Sequence, residues 1–69
     1  MFDKNRFRAQ MALAGITSKE LAQKLGIDES TLYRKINNSG SFTRDEINKM
    51  IQILHITDPQ RIFFAEELA

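Results

Sequence analysis

The chain has 69 residues, one histidine, no cysteine and a formal net charge of +1. A chain of this length is one domain, 1–69, near the lower limit for a self-sufficient core, since it buries only about 60% of its unfolded surface. Disulfides and thiolate metal sites are excluded, no apolar run approaches the roughly 20 residues that cross a bilayer, and the first residues do not read as a secretory signal. The expectation is a cytoplasmic domain held together by helix-on-helix packing, aided by dimerisation.

A first helix is predicted from about Asp3 to Ala14. Asp3 supplies a cap, and Phe7, Met11 and Ala14 recur at i, i+4 and i+7. Lys4, Arg6 and Arg8 occupy its polar side, and two readings fit them equally: a solvated face or contact with phosphate. Gly15 ends this helix.

From Ile16 to Asn37 the sequence ITSKELAQKLGIDESTLYRKIN holds two short helical patterns with almost nothing between them. Thr17 and Glu20 form a capping box, and Asp28 is placed to cap the second pattern, at about 1 kcal/mol. Ile16 with Leu21, and Ile27 with Leu32, are hydrophobic staples that fix the angle at which the chain enters each helix. Leu21, Ala22 and Leu25 share one helical face, as do Leu32 and Ile36. Gly26 stands where the first pattern stops, and without a Cβ it is suited to a left-handed helix end. Two capped helices about a glycine turn make a helix-turn-helix, with the small Ala22 letting the helices cross closely.

Asn38-Ser39-Gly40-Ser41 can only be a loop, whose backbone N–H groups are either open to phosphate or merely connecting. Thr43 with Glu46 repeats the capping box and Phe42 with Ile47 the staple, which predicts a fourth helix from about Arg44 to Leu54. Its inward stripe is Ile47, Met50, Ile51 and Leu54. Its N-terminal N–H groups, with Thr43 and Arg44, suit a phosphate clamp. His55 ends that helix with no Cys, Asp or His at ligand spacing, so no metal is expected. Asp58-Pro59 opens a last short helix, with proline at the first position. Among Ile62, Phe63, Phe64 and Leu68, one aromatic is expected to close the bundle and the other to offer a homodimer contact; both half-buried in one subunit is the competing arrangement. The fold class is all-α: a compact bundle of about five short helices with a central helix-turn-helix.

With Leu32 and Ile36 facing inward, the outer side of the helix from Asp28 to Asn37 carries Ser30 and Arg34, then Asn37, with Thr31 and Tyr33 flanking and Lys35 on the shoulder. A rod about 10–12 Å wide bearing such groups suits a DNA major groove, where Arg grips guanine and Asn grips adenine. A plain solvated face would look the same in isolation; the helix-turn-helix context decides between them. Between Lys4 and Arg44 eight cations face three carboxylates, a net +5, whereas from Asp45 onward the balance is −3. Positive charge thus lies in the half that holds the motif.

LAQKLGIDESTLYRKI resembles the motif of the lambda-repressor-like (phage repressor and Cro, XRE-type) helix-turn-helix family: Ala22 and Gly26 stand four residues apart, and Leu32 follows six later. LGI-x-x-S-T-L-Y-R-K-I is similar to phage and prophage regulators, and FTRDEINKM…ILHITDP…IFF to the second half of the same small proteins. Ser18 replaces the glutamine common in that family at the first motif helix, and Glu29 replaces a polar residue, which weakens any base contact carried over there. The resemblance implies a sequence-specific regulator of double-stranded DNA, a phage or prophage repressor or Cro-like switch in a bacterial or phage-infected cell. Ser30, Tyr33, Arg34 and Asn37 would reach base edges or adjacent phosphates. Thr17, Ser18, Lys19, Thr31, Lys35, Thr43 and Arg44 would position the DNA backbone.

A second class of function is a helix-turn-helix reused as a protein-binding adaptor or antirepressor, favoured by the low net charge and the apolar segment from Ile62 to Leu68. An enzyme is the weakest reading, because no nucleophile–base–orienter set or metal cluster can be assembled from the spacing. No cofactor, small-molecule substrate or membrane partner is expected.

Overall fold

Capping chemistry sets where each helix begins. In a computed structural model that describes residues 2–38 and 40–64, the order is α1 (Lys4–Ala14), α2 (Ser18–Leu25), α3 (Glu29–Asn37), α4 (Arg44–Ile53) and α5 (Pro59–Phe63). No strand occurs among the described residues. Asp3 accepts the Arg6 backbone N–H at the start of α1. Both capping boxes form: Thr17 and Glu20 exchange bonds at the start of α2, and Thr43 and Glu46 at the start of α4. Gly26 ends α2 in the left-handed region at φ 74°.

Asp28 departs from expectation. It holds the extended backbone of a cap residue, and its carbonyl accepts the Leu32 N–H at 3.0 Å, but its carboxylate makes no capping bond. The side chain is exposed, so water solvates that carboxylate in place of the helix N–H groups.

The core runs through all five helices and includes the expected Phe7, Met11, Leu21, Leu25, Leu32, Ile36, Met50 and Leu54. Ile47 and Ile51 are half-buried against it. Four phenylalanines form its aromatic centre: Phe2, Phe7, Phe42 and Phe63, with every pair of ring centroids between 5.3 and 6.4 Å. Such separations suit tilted and edge-on aromatic contacts. The Asp3 N–H donates to the Ile62 carbonyl at 2.7 Å and ties α1 to α5. Gln10 donates to the carbonyls of Leu54 and His55, serving the C-terminal end of α4 where His55 turns the chain at φ 54°.

This packing bears on the expected homodimer contact. Ile62 and Phe63 are 5% and 6% exposed, sealed inside the subunit by Phe2 and the α1 contact, and so cannot meet a second copy. Phe64 remains at the surface, 41% exposed. Leu68 lies outside the described residues.

Candidate nucleic-acid interface

The geometry of α3 follows from two anchors one turn apart. Leu32 is fully buried and Ile36 nearly so, which turns Ser30 and Arg34 to the exposed side of the same helix. Arg34 makes no ion pair or hydrogen bond with another described residue and is exposed. Helix α2 packs against α3, and its Leu21, Ala22 and Leu25 are all buried. Ala22, 1% exposed, leaves room for that crossing.

The two flanks of α3 differ. Toward α4, the Lys35 ammonium donates to both Glu46 carboxylate oxygens at 2.8 and 2.9 Å, with the two side chains only 23% and 13% exposed. Burial pushes the Glu46 carboxyl up, but the bonds from Lys35 and Thr43 outweigh it, and its pKa is lowered below the ordinary 4.5. Lys35 thus bridges α3 to α4 through Glu46. Thr31 is half-buried on this side.

Toward α1, Tyr33 is 63% exposed and lines a shallow depression with Arg8 and Ala12 of α1 and with Thr17 and Ser18 at the start of α2. At the next turn Asn37 donates its amide N–H to the Tyr33 carbonyl at 2.9 Å, while its Oδ1 accepts from the Lys4 ammonium at 3.3 Å. Both polar ends of Asn37 are thus occupied within the protein.

Thr17 and Ser18, at the exposed start of α2, are brought beside Tyr33 of α3, and Lys19 is exposed next to them in the chain. Thr17 and Thr43 each spend their hydroxyl on a cap. Arg44 stands exposed at the start of α4 without an ion-pair partner among the described residues. The ion pairs sharpen the charge asymmetry seen in the sequence. Arg6, Lys35, Lys49 and Arg61 are matched to Asp3, Glu46, Asp45 and Asp58, whereas Lys4, Arg8, Lys19, Lys24, Arg34 and Arg44 are unmatched among the described residues. All six lie within the segment from Lys4 to Arg44.

A buried-anchor helix with an outward guanidinium, set across a capped partner helix, is the arrangement of a DNA-reading helix-turn-helix. Residues 6–63 match the Cro/C1-type helix-turn-helix DNA-binding domain. The chain belongs to that family. The match runs from within α1 to the end of α5, so the Cro/C1-type assignment rests on parts of all five helices, not on the motif alone. Comparison with curated proteins and with solved structures finds no significant match.

Within this Cro/C1-type domain, three features escape sequence reasoning. Phe2 precedes the first helical pattern, so no periodicity assigns it to the core, although its ring packs on three others. The Lys35–Glu46 clamp joins residues eleven apart across a loop, a distance no helical periodicity reports. The Lys4–Asn37 bond spans 33 positions and needs the tertiary fold to be seen at all. No group of three or more His, Cys, Asp or Glu residues capable of holding a metal occurs among the described residues, and no helix there is long and apolar enough to cross a membrane.

Proposed function

We propose that this domain is a sequence-specific transcriptional regulator of double-stranded DNA, a phage or prophage repressor or Cro-like switch working in the cytoplasm without catalysis. The observation that carries the reading is the outward Arg34, with no ion pair or hydrogen bond to another described residue, beside Ser30 on a helix pinned by Leu32 and Ile36. In this reading α3 lies in the major groove. Ser30, Tyr33 and Arg34 meet base edges, and Arg34 grips guanine through two parallel hydrogen bonds. Asn37, engaged at both ends in the free protein, lies at the groove margin. Thr17, Ser18 and Lys19 at the start of α2, with Thr31, Thr43 and Arg44 on the other side, fix register on the phosphates. One such helix reads only a few base pairs. Two copies on half-sites about 34 Å apart supply the remaining affinity, with Phe64 as the aromatic left for subunit contact.

Selection of bound sequences from a random DNA pool tests this directly, with an enriched inverted repeat as the expected result. Arg34→Ala should cost about 1–3 kcal/mol and relax preference at one position, while Arg44→Ala should weaken all sequences alike. Parental binding by both variants would remove α3 from the groove. The apolar groove of Phe42, Ile47, Ile51, Pro59 and Phe64 favours a second reading, a protein-binding adaptor. Salt separates them, because phosphate contacts make log K fall steeply with log salt and an apolar groove does not.

A further inference from the structure

We infer that α1 belongs to the DNA interface, with Lys4 and Arg8 as phosphate-positioning residues along the Tyr33–Asn37 flank of α3. The inference rests on the placement of α3 in the major groove proposed above. At 3.6 residues per turn, Lys4, Arg8 and Ala12 share one shoulder of α1, and Arg6, Gln10 and Leu13 share the other. The structure separates the two shoulders by their neighbours. Arg8 and Ala12 face Tyr33 across the depression that also holds Thr17 and Ser18. Arg6 and Leu13 instead face Ile62 and Arg61 of α5, and Arg6 is paired with Asp3 at 3.3 Å.

The first shoulder therefore sets one cation at each end of the α3 flank, Arg8 at Tyr33 and Lys4 at Asn37. Lys4 is not merely solvated, since its ammonium is held by the Asn37 amide at 3.3 Å, and that amide is fixed in turn by the Tyr33 carbonyl. Asn37 is thus a positioning residue that steers Lys4. A helix about 10–12 Å wide nearly fills a major groove about 12 Å wide, so whatever stands beside its flank meets the phosphate wall. On the opposite flank Lys35 is neutralised by Glu46, whereas on the α1 side neither Lys4 nor Arg8 has an ion-pair partner among the described residues.

The test is the salt dependence of binding to the selected operator for the parent chain and for Lys4→Ala, Arg8→Ala and Arg6→Ala. Removing one cation from a phosphate should lower the slope of log K against log salt by about 0.9, so Lys4→Ala and Arg8→Ala should each fall by that amount and the double variant by about 1.8. Base preference should stay parental in both, and Arg6→Ala should keep the parental slope. Thermal melts confirm that the exposed substitutions leave the fold intact. Parental slopes for Lys4→Ala and Arg8→Ala, while Arg34→Ala still loses preference, would overturn the inference and leave the proposed function standing. An equal fall for Arg6→Ala would reduce the effect to net charge and likewise overturn it. A parental slope near zero would remove both.

Discussion

Replacing Lys35 by methionine keeps most of the stem and removes the ammonium that bridges α3 to α4. Its two bonds to Glu46, at 2.8 and 2.9 Å, lie between side chains 23% and 13% exposed, so the pair is neither a surface ion pair nor a fully buried one. Exposed pairs contribute about 0–1 kcal/mol and breaking a buried pair costs about 3–5, which places Lys35→Met at about 1–2 kcal/mol. A domain of this size loses about 4–8 °C in Tm per kcal/mol. Urea unfolding of the parent, Lys35→Met, Glu46→Gln and the double variant forms a cycle whose coupling term isolates the pair. The Glu46 carboxyl is lowered on folding, so its contribution is complete above the unfolded value near 4.5 and is lost as pH falls through the lower folded value. Parent stability should therefore decline in that acid window, and the decline should flatten in Lys35→Met. The salt slope for DNA should stay parental in Lys35→Met. Additive single-variant costs, or a slope lower by about 0.9, would refute the clamp and return Lys35 to the phosphate.

The caps give a matched comparison: Thr17→Ala and Thr43→Ala should each lose about 1 kcal/mol in urea unfolding, and Asp28→Ala should lose almost nothing because its carboxylate bonds no helix N–H. A loss at Asp28 equal to the threonines would show the carboxylate capping in solution. Gly26→Ala meets only the left-handed backbone penalty of about 1–2 kcal/mol, with nothing within 4 Å of the new Cβ. Gly40→Ala shares that penalty and also drives its Cβ to 2.6 Å from the Phe2 Cβ, adding about 1–3 kcal/mol of overpacking. Comparable midpoints for the two alanine variants would contradict the packing of Phe2 on the loop.

The helices are legible because their starts are written in local chemistry. Thr17 with Glu20, Thr43 with Glu46, and the staples flanking them act within four residues, so no tertiary knowledge is needed to see them. The inward positions of Leu32 and Ile36, and with them the outward Arg34, follow from a single periodicity. Lys35 is not legible in the same way, because a shoulder lysine looks identical whether its neighbour is water or a carboxylate on another helix. Asp28 is a preferred cap residue beside a staple, and the sequence sets it apart from Thr17 only by Thr31 standing where a capping box needs Glu or Gln. Ile62 and Phe63 resemble an available apolar surface, since nothing local reports that Phe2 and the Asp3–Ile62 bond close over that end.

Phe2 and Phe63 sit near opposite ends of the described chain yet complete one cluster of rings. During synthesis, which proceeds from the N-terminus, the cluster of Phe2, Phe7 and Phe42 lacks its fourth ring until position 63 has left the ribosome. Helices α2 and α3 are finished long before then, but their scaffold closes only when almost the whole domain is available. A protease cut that frees either end would unclasp the other as well.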